Sequence, residues 1–311
     1  MNPKYFAALK LLSTMFLVAV VLTFAKKALS QVHFFTFIWL QMVFACSGIL
    51  VYYLFLTPTT HAAAKGQNKL QALLTLIRQK RHRKALMLIL VVGFLNYLMI
   101  RWLAIFALQY LPVTTHAYLT NYVALVTMFF SAIFVKEFPN AKQWLGALIA
   151  ILGLWSYFKS APKAEELIGI VAVALTVIGL ATTNILLRKL HLLSNNPFNH
   201  AQIAVIAICT GGIPLILIGL MIDIPVTSIS VENWVIIALN GLIANALIML
   251  VFSQAMQHLK AYEASLLAMS AVVFIALLAV PILEQVLVFS QMIGIALMIT
   301  GIALVQRYSS S

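Results

Sequence analysis

The sequence predicts an all-α integral membrane protein with ten transmembrane helices. Three observations carry this. The 311 residues are 63% hydrophobic and 9% charged, against about 45–50% apolar and about 25% charged in soluble domains. The apolar residues fall into ten continuous runs, each near the ~20 residues that cross a bilayer. None of the runs alternates every second residue, as the strands of a membrane barrel would. In lipid each span must satisfy its own backbone hydrogen bonds, and a helix does so. A soluble domain this apolar would expose too much hydrocarbon to water, and a disordered chain would be far more polar.

The first run, 5–25, ends in Lys26-Lys27 with no small-x-small cleavage site before them, so it reads as a span and not a signal peptide. The second, 33–56, carries Gln41 within FTFIWLQMVFA. The loop 57–84 follows, with seven Lys and Arg; it reads as a solvated basic loop, in which 70–77 (LQALLTLI) could form a short amphipathic helix on the membrane surface. The third run, 85–108, holds Asn96, Tyr97, Arg101 and Trp102, and helical spacing puts Tyr97 and Arg101 on one face. Arg101 either faces a cavity or snorkels to the headgroups. The fourth, 112–135, has Thr114, Tyr118, Asn121 and Tyr122 along one stripe, with His116 off it.

The fifth run is 141–158. The sixth, 165–187, adds Thr182, Thr183 and Asn184, and the seventh, 198–221, adds His200 and Gln202. The eighth, 232–256, contains Asn240, Asn245 and Gln254. The ninth, 261–283, contains Tyr262, Glu263, Ser265 and Ser270, with Glu263 and Ser270 on one face; Glu263 is either a surface carboxylate paired with Lys260 or a coupling or gating group. The tenth is 287–306. Polar groups in hydrocarbon face a cavity or a partner; Asn, Ser and Thr also join helix to helix.

The net charge of +13 is explained by topology before nucleic acid, because the basic residues lie in short loops. With the N-terminus in the cytoplasm, 15 Lys and Arg fall on the cytoplasmic side and 4 on the other, which also places the C-terminus inside. Cys46 and Cys209 lie within apolar runs and read as small buried hydrophobes. The sequence contains no Gly-rich phosphate loop with its Lys, no His or Cys pair at metal-ligand spacing, and no nucleophile elbow. No cofactor or metal is therefore expected.

The two halves resemble each other. At an offset of 148, Ala107, Gln109, Leu111, Leu119, Gln143, Gly146 and Gly153 match Ala255, Gln257, Leu259, Leu267, Gln291, Gly294 and Gly301. Earlier, Lys26-Lys27 falls on Arg188-Lys189, and Cys46-x-Gly48 on Cys209-x-Gly211. Each half has five spans, an odd number, so the copies enter the membrane from opposite sides, as in many secondary transporters. The expected domains are 1–160, which includes the basic loop 57–84, and 161–311.

Ten spans in two such repeats resemble the drug/metabolite transporter superfamily, EamA type. The stretch 264–305 carries the resemblance, with Pro281, Glu284, Gln291, Gly294 and Gly301; in the first repeat Glu137, Gln143, Gly146 and Gly153 correspond. Where the family often has a basic residue in the second span, this chain has Gln41. The resemblance implies that spans 3, 4, 8 and 9 line a central cavity. The candidate substrate contacts are then Asn96, Tyr97, Arg101, Tyr118, Asn121, Tyr122, Asn240, Asn245, Glu263 and Ser270. It also implies a secondary transporter of the cytoplasmic membrane that exports a small polar or amphipathic metabolite by alternating access. Uptake or exchange by the same fold is the first alternative; a membrane enzyme or a scaffold is the second. The expected partners are a small-molecule substrate and the lipid bilayer, without nucleic acid, in a monomer or weak homodimer.

Overall fold

A computed structural model describes residues 3–57, 68–111, 113–157, 166–194, 196–223, 229–283 and 289–308. Among these residues every regular element is helical: α1 (Pro3–Leu29), α2 (Phe34–Val51), α3 (Lys69–Arg78), α4 (Arg83–Gly93), α5 (Arg101–Tyr110), α6 (Val113–Thr120), α7 (Val123–Phe130), α8 (Ala141–Tyr157), α9 (Glu166–Leu192), α10 (His200–Ile222), α11 (Val231–Gly241), α12 (Ile248–His258), α13 (Ala261–Ala268), α14 (Ser270–Leu283) and α15 (Phe289–Arg307). Six continuous helical stretches are long and apolar enough to cross a bilayer: Pro3–Leu29, Phe34–Leu56, Lys80–Ala107, Glu166–Leu192, His200–Ile222 and Val231–His258. Shorter apolar helices run over Val123–Val135, Ala141–Gly153, Ala261–Ile275 and Met292–Val305. The chain is a multi-pass membrane protein.

Helix ends follow local chemistry. Asn199 and Gln202 form a reciprocal cap at the start of α10, each side chain bonding the other's backbone N–H at 2.9 and 3.0 Å. Asn140 and Gln143 do the same before α8, at 2.8 and 2.9 Å. Gln143 thus has a structural task, and it also accepts from the Tyr262 hydroxyl at 3.0 Å. After α7 the helix continues as a π-turn, Ser131–Val135, and stops at Lys136, whose φ of 59° is left-handed.

Outward faces are apolar, the reverse of a soluble protein. Leu145, Leu148, Leu152 and Trp155 on α8, and Ile168, Val171, Leu175 and Ile178 on α9, are exposed at helical spacing; these are stripes made for lipid. Inside, α2 packs on α10, α8 on α15, α5 and α7 on α9, and α1 on α12 and α14. At the α8–α15 crossing a Cβ on Gly153 or on Gly294 would lie 2.6 Å from the other's carbonyl oxygen, so hydrogen is the only side chain that fits.

The segment 70–77 lies within a formed helix, α3, and not in an unstructured loop. Ala72 and Leu73 are buried on one face. Lys69 docks the helix by donating to the carbonyls of Leu54 and Thr57 at 2.8 and 2.7 Å, groups left open at the end of the second span. Tyr53 returns a bond to Lys69 O at 3.1 Å. Residues 58–67 of the basic loop, with Lys65, lie outside the described residues.

Candidate functional site

Two of the long helices change winding midway. Between α4 and α5 the chain forms a π-turn over Phe94–Ile100, and between α11 and α12 another over Leu242–Leu247. Wider winding shifts each hydrogen bond by one residue and leaves backbone carbonyls less engaged; such turns concentrate at functional sites. Each π-turn is entered through a glycine against a neighbouring backbone. A Cβ at Gly93 would lie 2.3 Å from Ala207 O, and one at Gly241 2.3 Å from Gln41 O.

The side chains of the first π-region satisfy the carbonyls of the second. Tyr97 donates its hydroxyl to Asn245 O at 3.4 Å, and Arg101 donates through Nη2 to Ala244 O at 3.1 Å. Arg101 therefore reaches the second π-turn. The Asn245 amide donates to Gln41 Oε1 at 3.2 Å and to Asn240 O at 3.1 Å. Tyr97, Gln41, Asn240 and Asn245 are each at most 1% exposed.

This centre retains unused hydrogen-bonding capacity. Gln41 Nε2, Asn240 Nδ2 and Asn245 Oδ1 have no partner among the described residues. A buried polar atom left so costs about 1–3 kcal/mol. The two ion pairs among the described residues are Lys27–Glu232 and Arg188–Glu137, so no carboxylate there neutralises Arg101. The centre offers two amide N–H donors, one amide acceptor and a cation, a set suited to a small molecule with a carboxylate and a donor.

The sequence-predicted residues divide. Tyr97, Arg101, Asn240 and Asn245 come together; Asn96 is partly exposed one residue before Tyr97. Gln41 joins them, although its site in a long apolar run offered only a lone amide as a signal. Asn121 and Tyr122 lie where α6 passes into α7, and Asn121 Nδ2 is buried without a partner among the described residues. Ser270 opens α14, buried, its hydroxyl also without a partner among the described residues. Glu263 is fully buried, which corrects its reading as a surface carboxylate; it accepts from the Lys260 backbone N–H at 3.0 Å and so caps α13. The side chain of Tyr118 and all of Glu284 lie outside the described residues.

Other polar contacts hold the helices together. The Asn184 amide donates to Ser265 Oγ at 2.9 Å and to Thr127 Oγ1 at 3.4 Å, joining α9 to α13 and α7. Arg188 pairs with Glu137 at 2.7 Å, both partly buried. His191 and His200, far from any metal spacing in sequence, meet with ring centroids 5.4 Å apart and share Ser253 Oγ at 3.1 and 3.2 Å. Among the described residues no group of three or more His, Cys, Asp or Glu could hold a metal ion.

Comparison with known proteins agrees with this architecture. No curated protein matches the chain. One solved crystal structure superposes with a TM-score of 0.74 over 98% of this chain and 99% of its own, at 18% identity, a likeness of fold alone. The model of the EamA-like transporter family matches residues 5–158 and again 167–307. The chain therefore belongs to the EamA-like transporter family, within the drug/metabolite transporter superfamily.

Proposed function

We propose that this protein is a secondary transporter of the cytoplasmic membrane that moves a small, amino-acid-like metabolite by alternating access, in the export direction. Its ten spans form two inverted five-helix repeats, 1–160 and 161–311, with both termini in the cytoplasm. The substrate binds between the repeats, with Tyr97, Arg101, Asn240 and Asn245 as its first contacts and Gln41 beside them. Asn96, Tyr118, Asn121, Tyr122, Glu263 and Ser270 border its path.

The observation that carries this reading is the set of buried polar atoms on Gln41, Asn240 and Asn245 that find no partner among the described residues, beside an Arg101 with no counter-ion among them. A protein that only scaffolded the membrane would gain stability by replacing them with apolar groups. A bound carboxylate would accept from Arg101 and the free amides, and an ammonium or hydroxyl would donate to Asn245 Oδ1.

The repeat offset of 148 supports the two-fold arrangement. It carries Gly93 to Gly241, the start of the first π-turn to the start of the second, Tyr97 to Asn245, and the α6–α7 break at Asn121 to Met269, the residue between α13 and α14. Tyr97 and Asn245 are thus equivalent positions in contact, as expected at a two-fold axis. The packing pairs obey the same exchange: α7 on α9 corresponds to α14 on α1, and α8 on α15 to itself.

The test is counterflow in proteoliposomes preloaded with unlabelled metabolites. One chemical class, led by amino-acid-like compounds, is expected to accumulate transiently as label in loaded vesicles and not in protein-free ones. Counterflow of no small metabolite across a broad panel would contradict the transporter reading.

A further inference from the structure

At one end of α4 a groove of about 900 Å³ opens between α4, the end of the α7 segment and the last turns of α9. Its rim carries five cations, Lys80, Arg81, Arg83, Lys84 and Lys189, and no carboxylate among the described residues lines it. Below the rim the same face of α4 presents Met87, Leu88 and Val91, opposite Phe134, Leu186 and Leu192. Met87, Val91, Phe134 and Leu192 are exposed. Polar and apolar parts are therefore stacked along the helix axis, with about 10 Å between Lys84 and Val91 at 1.5 Å per residue.

Topology alone explains why cations lie on this side, but not their placement here. The first turn of α4 contains Arg83 and Lys84 and no acidic residue, preceded by the turn Lys80–His82. A helix N-terminus is already the positive end of its dipole, so cations there repel it. A bound anion would turn both effects favourable. Lys189 approaches from α9, its Nζ 5.4 Å from the centre of the Phe134 ring.

We propose that this groove is a binding site for an anionic glycerophospholipid, with the phosphate among the five cations and the upper acyl chain on the apolar floor. Charge complementarity and the order of basic rim over apolar floor select a lipid over a soluble phosphate, since the floor gives a soluble ion nothing to contact. The site lies outside the proposed transport path and requires only that the chain sits in a membrane.

Native mass spectrometry of the purified full-length protein tests it. Phosphatidylglycerol is titrated beside phosphatidylcholine and beside glycerol 1-phosphate. Wild type is expected to retain phosphatidylglycerol about tenfold more tightly than phosphatidylcholine, and to retain no glycerol 1-phosphate. Arg83→Gln with Lys84→Gln is expected to weaken phosphatidylglycerol binding about tenfold; the charge-matched control Arg78→Gln with Lys142→Gln is not. Equal retention of the two lipids, equal retention of glycerol 1-phosphate, or an equal loss in the control would each overturn the proposal. The comparison of ligands on wild type needs no variant, and an absence of counterflow with lipid retention intact would count against the transport reading alone.

Discussion

Arg101 is a cation in an apolar span, where a charge at the bilayer centre costs about 2.5–3.5 kcal/mol on insertion scales. One N–H goes to Ala244 O, and no ion pair among the described residues repays the rest. If substrate repays it, Arg101→Ala abolishes counterflow while leaving expression and gel-filtration behaviour near wild type. Arg101→Lys rescues it poorly, because an ammonium cannot present a planar fork to a carboxylate. Unchanged transport in Arg101→Ala would remove this residue from the site. That Tyr97 and Arg101 share a face was legible in the sequence, because helical spacing alone sets it. The role of Gln41 was not: its partner Asn245 lies 204 residues away, and a long-range contact leaves no local pattern. Glu263 misled in the same way, since its position near a span end suggested water although packing by other helices buries it fully.

Among the elements, the apolar runs were plain because bilayer thickness dictates their length. The π-turns at Phe94–Ile100 and Leu242–Leu247 were not. Local propensity is the same for either winding, and the wider one accompanies packing of Gly93 and Gly241 against backbones from α10 and α2. Helix α3 was legible only as the second choice to a solvated loop, because the Lys69 bonds that dock it are tertiary. The glycines of α8 and α15 were legible as a motif, and the structure supplies their physical reason. Gly294→Val would press methyl groups onto the Gly153 carbonyl, an overpacking of about 1–3 kcal/mol. It is expected to lower the thermal midpoint in detergent by several degrees, read by fluorescence-detected gel filtration. A midpoint equal to wild type would mean that the α8–α15 crossing is not tightly held.

For the whole molecule, the internal offset of 148 was legible because it survives as identical residues, whereas the contact between Tyr97 and Asn245 required the fold. The proposed orientation rests on the distribution of Lys and Arg. A single cysteine in place of Leu74 on α3 is expected to be labelled by an impermeant thiol reagent only from the cytoplasmic side, and one in place of Lys163 only from outside. Labelling of both from one side would defeat the inverted repeat.

The central claim is that the polar centre around Asn245 opens to each side of the membrane in turn. The measurement that tests it most directly uses Asn245→Cys in a Cys46→Ala, Cys209→Ala background, reconstituted in vesicles of known orientation and exposed to an impermeant thiol reagent from either side. Modification from both sides is the predicted result. Modification from one side alone, or from neither side while surface cysteines react, would contradict the claim.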